Sequence, residues 1–340
     1  MPNSAWLLRR PEGLDPSPPC TGSDPPANAP VGVGAHGVAR VAGMTRIGLV
    51  VTDPTTFMAA DPHLDAAPLR EALRHRGADA ELTIWHDESV DWAAFDLLVL
   101  RSPWDYAERP AQFEAWLERV GALTTVLNDP ELVRWNMDKR YLAQLEEAGV
   151  AVVPTSYHHE MSTLEAELSS EEPSTPHVVV KPSVGAGARH TGLFARDSPA
   201  ALELARAILA EGGVVMLQPE VPELSEGRER ALYAVDGQVT HAIAKGALLE
   251  RGGGLRGGTY QENPVVLEAT AREQEFAGQV LDAVGEVSGL PMPLYGRIDT
   301  VDSAAHGLVL LEAELFEPLF NLQLVPEVTE IFADAILARV

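Results

Sequence analysis

Residues 295–316 read YGRIDTVDSAAHGLVLLEAELF. Two apolar-rich runs, Tyr295–Val301 and Gly307–Phe316, flank a short polar stretch, which is the pattern of an antiparallel hairpin. Strand side chains alternate between faces, so Arg297 and Asp299 share a face, as do Glu312 and Glu314. By the same count Leu308, Leu310 and Phe316 fall with the two acids, on a face that is mostly apolar. Two carboxylates side by side in such surroundings repel and raise each other's pKa unless a cation lies between them. A turn over Asp302–His306 brings Asp299 beside Glu312 and Glu314. Three carboxylates on adjacent strands make an oxygen-rich site for a hard cation, and magnesium suits it where phosphates complete the octahedron. Arg297 on the same face is placed to neutralise charge developing on a transferred phosphoryl group. The competing reading is the solvent face of an amphipathic strand.

A second informative stretch is Val178–Gly192, VVVKPSVGAGARHTG. Three β-branched residues lead into Lys181-Pro182 and then a loop with Gly185 and Gly187. Lysine at a strand end supplies a point charge, and the glycines let backbone N–H groups approach phosphate oxygens. No Gly-Lys-Ser/Thr closes the loop, so it is not a P-loop. A surface turn with a solvated lysine is the competing reading.

Around these stretches the chain divides into units. Strand-like runs at Thr45–Val51, Ala80–Trp85 and Leu97–Arg101 alternate with helical stretches at Leu64–Arg76 and Pro110–Gly121. That alternation predicts a small parallel α/β domain over 45–135. A second unit, 136–213, opens with a helix expected over Met137–Ala148 and stopped by Gly149. A third, 214–340, carries antiparallel signals: a hairpin around Asp236-Gly237, a long helix over Glu268–Gly289 and a closing helix over Pro326–Val340. Residues 1–44 hold eight prolines and six glycines with no apolar periodicity. They read as a disordered tail or an overlong start ahead of Met44.

The whole chain has 340 residues and a formal net charge of −25. A field of that sign repels nucleic-acid phosphate, which argues against nucleic acid as a partner. It also requires any ATP phosphate site to be built locally, from a few lysines, arginines, N–H groups and a metal. No apolar run reaches the roughly 20 residues of a membrane-spanning helix, so no membrane partner is expected. The single cysteine, Cys20, makes no intramolecular disulfide, which fits a reducing, cytoplasmic setting. Arg101, Asp105 and Tyr106 follow a strand at the carboxyl edge expected to bind ligands in open α/β sheets. They are candidate substrate contacts, against the alternative of an internal Arg101–Asp105 pair beside Trp104.

Taken together, Asp138-Lys139, Lys181-Pro182, the glycine loop, Gln218-Pro219-Glu220-Val221, Gly227-Arg228-Glu229, Arg297-x-Asp299 and Glu312-x-Glu314 resemble the ATP-grasp superfamily over residues 45–340. The phrases LRSPWDY (Leu100–Tyr106), ELVRWNMDKRYL (Glu131–Leu142) and LEAELFEPLF (Leu311–Phe320) are similar to the O-ureido-D-serine cyclo-ligase group of cycloserine biosynthesis. The resemblance implies an ATP-grasp fold: an N-terminal parallel α/β domain and two α+β subdomains clasping ATP. It implies ATP-driven ring closure, with ATP and magnesium or manganese as cofactors. Lys139 and Lys181 would hold phosphates. Gln218 and the backbone of Glu220 and Val221 would meet adenine, and Glu229 the ribose. Asp299, Glu312 and Glu314 would bind metal, and Lys245 would reach the terminal phosphate. Gly246–Tyr260, with six glycines, would be a mobile loop shielding the reaction from water. One departure is Glu314, which stands where many such ligases carry asparagine.

Three functions follow as alternatives: a ring-closing ligase, an intermolecular carboxylate–amine ligase, and a nucleotide-binding protein without turnover. The expected partner is a small amino-acid-like molecule, with a homodimer left open.

Overall fold

The computed structural model describes residues 43–55, 60–170, 175–258 and 263–340. The tail expected over 1–44 therefore lies, up to residue 42, outside the described residues, as does Tyr260. Strands β1 (Arg46–Val51), β2 (Asp79–Ile84), β3 (Leu97–Ser102) and β4 (Thr125–Leu127) form an all-parallel sheet in the order β2-β1-β3-β4. Their near-continuous apolar runs suit a sheet covered on both faces. Helix α1 (Ala66–His75) packs Leu69 and Leu73 on one face, and α2 (Pro110–Gly121) packs Phe113, Trp116 and Leu117 on the other.

The helix expected over Met137–Ala148 is broken instead. Helix α3 (Pro130–Met137) starts at Asp129, whose side chain accepts from the Glu131 N–H, and α4 (Tyr141–Glu147) follows a gap at residues 138–140. Asp138 is extended, and the Lys139 N–H donates to the Ser183 carbonyl at 2.8 Å rather than within a helix. A periodic apolar pattern runs through this point, but a long-range contact interrupts it. Next come β5 (Ser156–His158), α5 (Met161–Leu168), β6 (His177–Pro182), β7 (Gly192–Ala195), α6 (Pro199–Ala210) and β8 (Val215–Pro219). These strands form an antiparallel sheet ordered β5-β8-β6-β7, with α5 and α6 packed against it. Strand β8 sits between β5 and β6, so this sheet extends past the boundary expected at residue 213.

After α7 (Pro222–Ser225), the third sheet is ordered β11-β10-β9-β12-β13 and is antiparallel. Its strands are β9 (Glu229–Val235), β10 (Gln238–Lys245), β11 (Val265–Leu267), β12 (Tyr295–Ser303) and β13 (Gly307–Glu314). Helix α8 (Ala271–Ser288) covers one face with α4. The opposite face grades from core to charge. Val235, Tyr233 and Tyr295 pack with the closing helix α9 (Pro326–Leu337) and α1, and beyond them the same face carries Arg297, Asp299, Glu229 and Lys245. Residues 43–340 form one compact unit, with α9 returning to the first sheet.

The pairing of β12 with β13 changes the face count made from sequence. Asp299 pairs with Glu312 but Thr300 pairs with Leu310, leaving Leu311 as a bulge. One extra residue reverses the alternation beyond it. Leu308 and Leu310 thus join Ala313 and Leu315 in the core under α8. The acids fall instead on the face of Val309 and Leu311, away from Leu308 and Leu310.

Candidate active site

The second and third sheets face each other across a cleft containing about 1180 Å³ of space, part of it open to solvent. β6 contributes Val179 and Lys181, β8 contributes Gln218, and the turn after it contributes Glu220 and Val221. The loop between β6 and β7 contributes Gly185 and Gly187, the latter at φ +61, in the left-handed region open to glycine. The facing sheet presents Glu229, Lys245, Arg297, Asp299, Glu312 and Glu314. The break after α3 brings in Lys139. All the residues expected to hold nucleotide, metal and phosphoryl group are thus brought to one cleft.

Their charges interlock. Arg297 donates to Asp299 at 2.7 and 2.8 Å and to Glu314 at 2.5 Å. Lys245 donates to Asp299 at 2.9 Å and Glu229 at 3.0 Å. Lys139 lies 3.0 Å from Glu312 and donates to the Gly185 carbonyl at 2.6 Å. Lys181 makes no ion pair among the described residues.

Burial works to raise the Asp299 carboxyl, but Arg297 and Lys245 outweigh it and hold it below the usual carboxylate range. Burial raises Glu229 despite Lys245, and it raises Glu314 to about 8, with Glu317, Glu312 and Asp299 adding to the rise. Burial alone would lower Lys139, but Glu312 reverses it. Lys181 is lowered, chiefly by burial.

Asp299, Glu312 and Glu314 share the face expected of metal ligands, yet each is held by a lysine or arginine. Among the described residues, no group of three His, Cys, Asp or Glu side chains converges on one point. The donor chemistry nonetheless fits a hard divalent cation. The donors are all oxygens on paired strands, and such an ion would relieve both the burial and the neighbouring acids that lift Glu314.

The residues expected to touch substrate are placed elsewhere. Arg101 is 1% exposed and surrounded by the rings of Tyr295, Phe320 and Phe332, with Nη2 donating to the Pro318 carbonyl at 2.8 Å. Its carboxylate neighbour is Asp65, at 3.7 Å, not Asp105. Asp105 accepts from Trp85 Nε1 at 2.6 Å and from Arg109. Tyr106 is buried against Phe113 and Phe316. None of the three lines the cleft: Arg101 and Tyr106 pack the first sheet on the segment after β13, and Asp105 is held within the first unit by Trp85 and Arg109. Glu317 is a buried carboxylate of this region that pattern reading missed. It lies off the strand, so no two-residue spacing marks it. Leu248 and Leu249 were also missed. They line the cleft from the glycine-rich loop, which docks on β7 where Leu193 N–H donates to Gly253 O at 2.8 Å and Gly252 N–H to Leu193 O at 2.7 Å.

A parallel α/β unit followed by two antiparallel sheets gripping such a cleft is the architecture of an ATP-grasp ligase. The structure superposes on D-alanine–D-alanine ligase from Bacillus anthracis with a TM-score of 0.61 at 14% identity, covering 86% of this chain and 96% of that one. The ATP-grasp ligase PsnB, in a complex with a phosphomimetic precursor variant, magnesium and ADP, gives 0.54 at 20% identity, covering 86% and 98%. The crystal structure of D-cycloserine synthetase DcsG gives 0.78 at 34% identity, covering 86% of this chain and 99% of that one. Residues 47–128 match the family described as D-cycloserine synthetase DcsG, N-terminal domain. The cycloserine biosynthesis protein DcsG of Streptomyces lavendulae is 37% identical over 281 residues, which is 81% of this chain and 93% of the relative. The chain belongs to the DcsG family of ATP-grasp ligases and is an enzyme. Among the described residues no helix is long and apolar enough to cross a membrane.

Proposed function

We propose that this chain uses ATP and magnesium to phosphorylate the carboxylate of a small amino-acid-like substrate, O-ureido-D-serine in the first instance, and closes it into a ring. The observation that carries this is the likeness to D-cycloserine synthetase along nearly the whole of that protein, joined to a cleft where Lys139, Lys181, Lys245 and Arg297 converge. Four cations in one place supply the direct contacts that ATP phosphates need within a chain of net charge −25.

In this reading Lys139 and Lys181 hold phosphates, Gln218, Glu220 and Val221 the base, and Glu229 the ribose. Asp299, Glu312 and Glu314 hold magnesium, which when bound neutralises phosphate charge and orients the transferred group. Arg297 and Lys245 stabilise the charge that grows on that group. The docked glycine-rich loop excludes water, so that the substrate's own nitrogen attacks the acyl phosphate, loses its proton as the C–N bond forms, and displaces inorganic phosphate.

The test is ADP release on a panel of D- and L-amino-acid derivatives, with mass detection of products. A cyclic product from O-ureido-D-serine is the expected result. ADP release that needs a second amino acid and yields a condensed product would replace ring closure by intermolecular ligation.

A further inference from the structure

The glycine-rich loop after β10 crosses from the third sheet to the second. Its Leu248 and Leu249 line the cleft, and its far part lies along β7, the outer strand of the second sheet. There Gly252 N–H donates to the Leu193 carbonyl and Leu193 N–H to the Gly253 carbonyl. A side-chain carbon at Gly254 would come within 3.2 Å of the Thr191 carbonyl, so glycine permits this approach. Apolar burial adds little to the docking, because Leu248, Leu249 and Leu255 are only half-buried. A segment with so little burial can open locally at far less cost than global unfolding. Polar contacts must therefore hold it.

Two arginines supply that hold. Arg256 donates to the Leu249 carbonyl at 3.0 Å within the loop and to the Ser225 carbonyl of α7 at 3.1 Å. Arg251 Nε donates to Glu220 Oε1 at 2.8 Å. The Arg251 side chain is 58% exposed and that of Glu220 only 4%. Glu220 is itself fixed. Ser225 Oγ donates to Oε1 at 3.4 Å, His177 Nδ1 lies 3.2 Å from Oε2, and the Glu220 N–H donates to the His177 carbonyl at 3.0 Å. Glu220 also lines the cleft, between Gln218 and Val221. One buried carboxylate thus joins the loop to the strip expected to meet the base. An ion pair with an exposed partner adds little to the stability of a whole fold. On a loop with so little burial, the same pair decides whether the loop stays docked.

We propose that Arg251 is a positioning residue, a latch that through Glu220 keeps the glycine-rich loop docked over the cleft and so sets how much phosphoryl transfer is lost to water. The proposal rests on the ATP-dependent function and water-excluding loop proposed above, and names the side chain that closes that loop. With the latch open, water attacks the terminal phosphorus of ATP, the bond to the leaving oxygen breaks, ADP departs, and inorganic phosphate forms as the water proton passes to solvent. With the latch closed, the acceptor substrate is the nucleophile within reach.

The experiment has two arms on the full chain. Amide hydrogen exchange reads the docking directly, with no turnover needed. In Arg251→Gln the peptides carrying Leu193 and Gly252 should exchange ~2- to 5-fold faster, the scale of an ion pair with one exposed partner, while peptides of β9 stay unchanged. The second arm is ADP release at saturating magnesium without acceptor, divided by that with acceptor. This ratio should rise by a similar factor in Arg251→Gln and fall part of the way back in Arg251→Lys, which keeps the charge but not the planar donor. Absence of a cyclic product strikes ring closure and leaves both arms readable. Glu220→Gln should match Arg251→Gln, and the double variant should add little to either. If Glu220→Gln does not fold, the arginine variants decide. Unchanged exchange in Arg251→Gln, or an equal change in ADP release with and without acceptor, would overturn the latch. So would faster exchange that spreads to β9, which would make Arg251 a support of the fold.

Discussion

Arg297 meets Glu314 across paired strands, with Glu312 opposite Asp299, and substitutions of Glu312 and Arg297 should read out differently from that of Lys181. Glu312→Gln removes one anionic oxygen donor from the proposed metal site while leaving its shape. Turnover should fall by ~100-fold or more, the scale of losing one transition-state electrostatic element, and undiminished turnover would remove Glu312 from that site. Arg297→Lys keeps a charge but loses the paired hydrogen bonds to Asp299 and Glu314. Its loss should appear chiefly in kcat. Lys181 carries no ion pair among the described residues, and in the proposed function it holds phosphates of bound ATP before and during reaction alike, so Lys181→Ala should raise the ATP KM more than it lowers kcat. A kcat left intact in Arg297→Lys would make that arginine an anchor of ground-state charge only. His241 gives a residue-scale test of stability. It stacks on Tyr233 at 4.3 Å, and Nε2 lies 2.9 Å from the Phe320 carbonyl, which fixes Nε2 as the donor. Burial lowers it from 6.5 to about 4. The unfolded chain therefore takes up a proton first as pH falls. The stability from neutral His241 is complete above pH 6.5 and is lost between 6.5 and about 4. Urea unfolding at pH 7.5 and 5.5 should show wild type losing roughly 1 kcal/mol more than His241→Gln, and equal losses would show the ring to be solvated.

At the scale of elements, α8 and α9 show what local signals decide and what they leave open. The start of α8 is a reciprocal cap, in which the Thr270 side chain accepts from Glu273 N–H and the Glu273 carboxylate accepts from Thr270 N–H at 2.8 Å. Glu273 also lies 2.7 Å from Arg230 Nε on β9. Thr270→Ala should cost about 1 kcal/mol, and Glu273→Ala more, because it also strips a half-buried arginine of its partner. Chemical unfolding of the two variants ranks them, and the reverse order would mean that the ion pair adds nothing. Phe332 of α9 is fully buried among Tyr295 and Phe320. Phe332→Ala should cost about 3–5 kcal/mol, and a cost below about 1 would show that α9 is loosely held. Local chemistry explains why the Asp236-Gly237 turn was legible in sequence. Both residues take positive φ, 53 and 73, as the tight hairpin turn requires. The charged face of β12 and β13 was legible for the same reason, since alternation carries Arg297, Asp299, Glu312 and Glu314 to one side. The bulge at Leu311 was not, because an apolar strand residue looks the same paired or extra. Nor was the break at Lys139, set by Ser183 on a distant loop, nor the inward turn of Arg101, whose acceptor lies 217 residues away. Contacts of that separation leave no periodic trace.

For the molecule as a whole, the formal charge of −25 opposes the anion that the cleft is proposed to bind. The lining does not reverse that field. Lys139, Lys181, Arg189, Lys245 and Arg297 stand beside Glu220, Glu229, Asp299, Glu312 and Glu314, so local cations are matched by local acids. Magnesium-bound ATP remains an anion, so its approach is resisted over the range of the field and favoured only on contact. Salt acts on those two stages unequally. The Debye length shrinks from about 30 Å at 0.01 M to about 8 Å at 0.15 M, which screens the long-range repulsion while leaving buried contacts such as those of Lys139 and Arg297 less affected. At saturating magnesium, raising ionic strength over that range should therefore lower the ATP KM or leave it flat, and should speed ATP association in stopped flow. A basic nucleotide funnel predicts the opposite. If KM rises steeply with salt, the cleft cations dominate the field, and the acids of the lining must be largely neutralised by protons or metal before ATP arrives.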